Sequence, residues 1–99
     1  MKESQFQSKL KKEIEERYEN CRVLKMDGSN VPQGFPDLLI LYKDKWAALE
    51  CKRTQSSKKQ PNQKYYVDKL GEMSYASFIS PENKEDVLNE MDRSFLSKE

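Results

Sequence analysis

At 99 residues, with 35% hydrophobic and 35% charged, the chain is sized for one domain, residues 1–99, whose core must come from a few concentrated apolar segments. The 18 Lys and Arg against 17 Asp and Glu leave a net charge of +1, so a polyanionic partner would have to be met by a local patch. With no histidine, imidazole-dependent zinc sites, Ser-His-Asp and Cys-His nucleophiles and histidine general bases are excluded, and any chemistry falls to carboxylates, lysine, tyrosine or a metal held by oxygen.

In chain order, Glu3 to about Glu19 reads as a helix, because Phe6, Leu10, Ile14 and Tyr18 recur every four residues with charges between them. Cys21 to Met26 reads as a short strand, and Asp27 to Gly34, rich in turn residues, as a loop leading to Phe35 and Pro36. Asp37 to Tyr42 and Trp46 to Lys52 read as strands joined by a tight turn over Lys43, Asp44 and, in one register, Lys45. Leu38 to Leu41 are apolar on both faces, the pattern of a central strand covered on both sides. Arg53 to Asn62 is polar and reads as flexible; a helix follows from about Asn62 to Met73 with Val67, Leu70 and Met73 as its inner stripe. Tyr75 to Ser80 is a fourth strand, and a helix from about Pro81 to Phe95 buries Val87, Leu88, Met91 and Phe95. The expected fold class is α/β (α+β), an α-β-β-β-α-β-α order with helices packed on a mixed sheet and no internal repeat. The opening segment has no apolar signal core and no run approaches the about 18 apolar residues of a membrane span, so a soluble cytoplasmic protein is expected. Cys21 and Cys51, distant in sequence and each in an apolar stretch, read as reduced packing thiols.

The hairpin poses the functional question, because its apolar strands end in charge. With the two-residue turn Lys43-Asp44, Tyr42 pairs with Lys45 and Asp37 falls opposite Glu50; a three-residue turn would set Asp37 opposite Cys51 instead. Alternation puts Glu50 and Lys52 on one face. Two converging buried carboxylates raise at least one pKa unless a cation lies between them. A divalent cation with hard oxygen ligands, Mg²⁺ above all, meets that need, with Lys52 placed to position or help deprotonate a water and to stabilise charge on a phosphate. The competing reading is an Asp37/Glu50/Lys52 salt-bridge cluster at a strand end.

"PD" (Pro36, Asp37), twelve residues, then "ECK" (Glu50, Cys51, Lys52) resembles the PD-(D/E)xK nuclease superfamily, whose core is an α-β-β-β-α-β arrangement like a restriction endonuclease's. More narrowly, "QGFPDLLILY", "WAALECKR" and "QPNQKYYVDKLGEMSYASFISP" resemble the virus-type replication-repair nuclease branch (VRR-NUC) and related small phage nucleases, from Glu3 to about Pro81. The resemblance implies that Asp37, Glu50 and the main-chain carbonyl of Cys51 bind Mg²⁺ or Mn²⁺, that Lys52 is the catalytic lysine and that Gln63 supports the site. It also implies an acidic residue on the first helix near the metal, for which Glu3 is the first match and Glu13 the alternative. The Cys51 side chain is expected to pack on the other face. For Glu3 the plain alternative is a charge favoured at a helix N-terminus, and for Gln63 a solvated first-turn residue.

Between Lys52 and Lys64 there are five cations and no acid, so Arg53, Lys58, Lys59 and Lys64 are candidate contacts to a DNA backbone beside the site, or simply a solvated loop. Tyr65 and Tyr66 are candidates for base stacking, although Tyr66, like Trp46, reads first as packing. Together these point to a metal-dependent DNA endonuclease; the resemblance further implies a homodimer, structure-selective for branched or Holliday-junction-like DNA, and a phage origin, which would place it in the bacterial host cytoplasm. The alternatives are a nucleic-acid-binding protein or subunit that keeps the fold without cutting, and an interaction protein whose hairpin charges only pair with one another.

Overall fold

The four-residue apolar stripe of the first segment becomes a helix because one face of the sheet accepts it: α1 (Glu3–Arg17) buries Phe6, Leu10 and Ile14, and Tyr18 at its C-cap is buried too. A computed structural model describes residues 2–96. After α1 come β1 (Arg22–Lys25), β2 (Leu38–Tyr42), β3 (Lys45–Cys51), α2 (Pro61–Met73), β4 (Tyr75–Ile79) and α3 (Lys84–Phe95). The expected α-β-β-β-α-β-α order is therefore the order found. The four strands form one mixed sheet in the order β1-β2-β3-β4, antiparallel except for the parallel β3/β4 pair that α2 connects. Among the described residues no helix is long and apolar enough to cross a membrane.

The hairpin has the two-residue turn. Tyr42 pairs with Lys45 and Leu38 with Leu49, which puts Asp37 and Glu50 next in register. Lys43 takes φ 57°, the positive value that tight hairpin turns require at their first central residue.

Alternation then sorts the side chains. Leu38, Ile40, Ala47, Leu49, Cys51 and Ile79 face α1 and α3 and join Leu10, Ile14, Leu88, Met91 and Phe95 in one core. Each such large side chain contributes about 1.5–3 kcal/mol on burial. Tyr18, Tyr42 and Phe95 close one end of it, with ring centroids 5.1–5.6 Å apart. Arg17 and the Tyr18 hydroxyl both donate to Asp92, tying α1 to α3.

The opposite face carries α2, whose sheet contacts are chiefly with β3 and β4. Two expectations are corrected by that half-coverage. The strand buried on both faces is β3, from Ala47 to Cys51, whereas β2 has Leu41 38% exposed and its neighbour β1 has Leu24 43% exposed. Met73 is 71% exposed rather than part of the α2 stripe, and Leu70 is half-buried. Three-residue spacing lags a helix by about 60° per step, so Met73 lies about 120° around from the buried Val67. The last helix begins at Lys84 rather than Pro81, because Asn83 turns its side chain back to accept from the Ser80 amide at 2.7 Å.

Candidate metal centre

The chain reverses at the start of β2, and Asp37 stands just before that strand, where its Oδ2 accepts the Cys51 backbone N–H at 3.0 Å. This bond crosses from the entrance of β2 to the end of β3, so Asp37 and Glu50 are brought together by the hairpin register itself. On β3, Glu50 and Lys52 project from the face that α2 covers and are 4% and 9% exposed. Lys52 leaves the ladder just past β3, its N–H still bonded to the Ile79 carbonyl of β4 at 2.8 Å.

Helix α2 supplies the link between these groups. Pro61 begins it with the fixed φ that suits a first turn, and Gln63 lies two residues on. Gln63 Nε2 donates to Glu50 Oε2 at 3.0 Å, while its Oε1 accepts from Lys52 Nζ at 2.8 Å and from the Gln60 amide at 3.0 Å. One amide thus caps its helix and spans the carboxylate and the lysine. The half-buried Gln63 is not a merely solvated first-turn residue.

Electrostatics at the site are unfavourable to the bare carboxylates. Burial first, and then the charge of Asp37, push the Glu50 carboxyl up to about 8. Asp37 is also raised by burial, a shift that its bond from Cys51 N–H opposes. Glu50 Oε1 is buried without a hydrogen-bond partner. Among the described residues the ion pairs lie elsewhere, and none joins Lys52 to Asp37 or Glu50. A salt-bridge cluster of these three residues is therefore not what the fold builds.

An unpartnered buried carboxylate oxygen beside a second raised carboxylate is the donor chemistry that a hard divalent cation satisfies. Asp37 and Glu50 bring carboxylate oxygens to this point, and Lys52 is held beside Glu50 through Gln63. The described residues contain no cluster of three or more acidic, cysteine or histidine side chains arranged around a metal position. Glu3, exposed in the first turn of α1, adds its charge to both carboxylates. Glu13 instead pairs with Lys84 at 2.8 Å, which leaves Glu3 as the first-helix carboxylate whose charge acts on this site. The Cys51 thiol is fully buried in the α1/α3 core and raised by burial, the environment of a packing residue rather than a nucleophile.

Arg53, Lys58, Lys59 and Lys64 are all exposed around the same end of the sheet; Lys64 lies on the first turn of α2, and the loop that carries the other three is not loose. Thr54 and Ser57 bond each other through backbone and hydroxyl groups, and Gln55 N–H donates to Glu82. Tyr66 packs edge-on against Phe35 at 5.4 Å, while Tyr65 is 55% exposed. Trp46 is half-buried. Phe78 was missed in the sequence: the parallel register sets it beside Glu50. Its alternation with the core residue Ile79 is the signal that places it on this face. Comparison of the chain with family models, curated proteins and solved structures returned no match.

Proposed function

We propose that this protein is a metal-dependent deoxyribonuclease that hydrolyses phosphodiester bonds, structure-selective for branched or junction DNA. The observation that carries the reading is the buried Glu50 Oε1 left without a partner beside Asp37, with Lys52 held by Gln63 instead of neutralising either carboxylate. The element order and the PD and ECK positions agree with the nuclease superfamily that the sequence resembles.

Asp37, Glu50 and the Cys51 carbonyl would hold Mg²⁺ or Mn²⁺, with Glu3 in reach of the same field. When bound, the ion supplies Lewis acidity toward a phosphoryl oxygen and acidifies its water. Lys52 contributes a nearly buried cation next to that position, where it offsets charge developing on phosphorus during attack by water. Gln63 fixes the direction of Lys52 Nζ and of Glu50 together, so neither has to reorganise as the charge moves. Arg53, Lys58, Lys59 and Lys64 hold the DNA backbone without reading sequence. Selectivity in this reading rests on DNA shape and on pairing of two copies, so a homodimer belongs to it and light scattering tests it.

The deciding experiment incubates wild type and Lys52→Ala with labelled duplex, single-stranded, nicked and four-way-junction DNA in Mg²⁺, Mn²⁺ or EDTA. Metal-dependent cutting of the junction that Lys52→Ala removes is the expected result. Binding without cutting in either metal would overturn it in favour of a non-catalytic DNA-binding protein or subunit.

A further inference from the structure

The β3/β4 register pairs Glu50 with Phe78, and paired residues of parallel strands project from the same face. The Phe78 ring therefore stands one strand away from the candidate metal centre, under the N-terminal half of α2. A cavity of about 420 Å³ opens over it, within the roughly 300–1,000 Å³ of ligand sites. Lys52, Lys59 and Lys64 line this cavity with Phe78, Ser77 and Asp68. Lys59 Nζ lies 5.2 Å from the centre of the Phe78 ring and donates to the Gln55 carbonyl at 3.2 Å, on an otherwise exposed side chain. The half-buried ring thus lines a space rimmed by cations, one of which, Lys59, lies over it, and Lys52 belongs both to that rim and to the Gln63 bridge.

Each wall asks for a different part of one ligand. An aromatic face takes a flat heterocycle, the three lysines take phosphate, and Asp68, the one carboxylate on the lining, accepts from a ring amino group while turning phosphate away. We propose that the cavity receives one unstacked nucleotide of the DNA strand, its base against Phe78 and its phosphates among Lys52, Lys59 and Lys64. The proposal rests on the nuclease reading for the identity of its ligand and deepens it. A base inside continuous duplex cannot reach a ring at the bottom of a cavity, whereas a base freed at a branch, flap or frayed end can. The selectivity for branched DNA then has a structural source in the protein.

The test is binding in EDTA, so that cutting does not interfere, using a fluorescent single strand of about 12 nucleotides and the duplex of the same sequence. Wild type is expected to bind the strand more tightly than the duplex. Phe78→Leu, which keeps an apolar side chain, is expected to weaken strand binding about tenfold and leave the duplex within about twofold. Loss on both or on neither overturns the proposal. Because Phe78 is half-buried, a surface pair guards against misfolding. Lys59→Glu, on the cavity wall, is expected to weaken strand binding more than Lys58→Glu, which makes the same charge change outside the lining. Equal losses at matched salt would mean a diffuse basic patch and would also overturn it. Deoxyadenosine monophosphate separates a strand site from a free-nucleotide site: it is expected to bind at least about tenfold more weakly than the strand. Binding as tight as the strand's assigns the cavity to free nucleotides and refutes the strand assignment. Cleavage of four-way-junction DNA in Mg²⁺ is read separately. Its absence, with Phe78-dependent strand binding intact, removes the nuclease reading and leaves the nucleotide cavity standing.

Discussion

Replacing Glu50 by Gln should make the metal-free protein more stable at neutral pH while removing its response to metal. In the folded state burial and Asp37 raise the Glu50 carboxyl from 4.5 to about 8. Between those values the folded chain holds a proton that the unfolded chain has released, so stability falls as pH rises. From pH 5 to pH 7 the slope approaches 1.36 kcal/mol per pH unit, a loss of about 2–3 kcal/mol. Glu50 is only 4% exposed, so solvent screens little of this, and the raised Asp37 adds a contribution of the same sign. In a domain of this size the loss amounts to a fall in Tm of about 10–20 °C. The assay is thermal unfolding followed by circular dichroism in EDTA at several pH values from 5 to 8, repeated with Mg²⁺ or Mn²⁺. Wild type should lose Tm with rising pH and regain about 3 kcal/mol when metal reaches about a hundred times its Kd. Glu50→Gln keeps the size of the side chain and an acceptor for Gln63 but cannot ionise, so its Tm should fall less steeply over this range, keeping only the Asp37 contribution, and be indifferent to metal. A wild-type Tm that stays level or rises between pH 5 and 7 in EDTA would refute the reasoning, as would an equal slope in the variant.

Gln63→Leu should lower cleavage about 10–100-fold through loss of the bridge between Glu50 and Lys52, and lower stability by about 1 kcal/mol through loss of the bond to the Gln60 amide; single-turnover rates and melting curves separate the two. Gly34→Ala should cost more than Gly28→Ala although both residues have positive φ, because a Cβ at Gly34 would stand 2.7–2.9 Å from Asn62 while one at Gly28 meets nothing within 4 Å. Denaturant unfolding should show about 1 kcal/mol for Gly28→Ala and about 2 kcal/mol or more for Gly34→Ala. At the other end of the molecule, Arg17 and Tyr18 hold the Asp92 carboxyl below the usual carboxylate range. Its contribution is present above the unfolded pKa and lost as pH falls through the folded one, so Asp92→Asn should cost about 1–2 kcal/mol at pH 7 and progressively less in acid.

What the sequence determined by itself is local and periodic. The Phe6/Leu10/Ile14/Tyr18 stripe and the Val87/Leu88/Met91/Phe95 stripe each follow from a helical repeat that has one face to bury, and both are buried. A period of two likewise puts Lys52 on the same face as Glu50, while the Asp37/Glu50 apposition was one of two registers the sequence allowed, and the two-residue turn of the folded hairpin selects it. Tertiary structure decided the rest. Residues 38–41 are apolar on both faces whether or not a helix lies over them, and only the placement of α2 over β3 and β4 determines that Leu41 stays partly exposed while β3 is enclosed. The resemblance named Gln63 as a supporting residue, but its spacing alone gave no more than a first-turn position, and it is the docking of α2 that brings its amide within bonding distance of Glu50 and Lys52. Phe78 reached Glu50 by the same route, through a parallel pairing that crosses an intervening helix and that no spacing within one strand records. Local periodicity sets which way a side chain points. The unpartnered oxygen of Glu50 and the cavity beside it depend on which distant segments arrive there, and that is settled by packing of the whole chain.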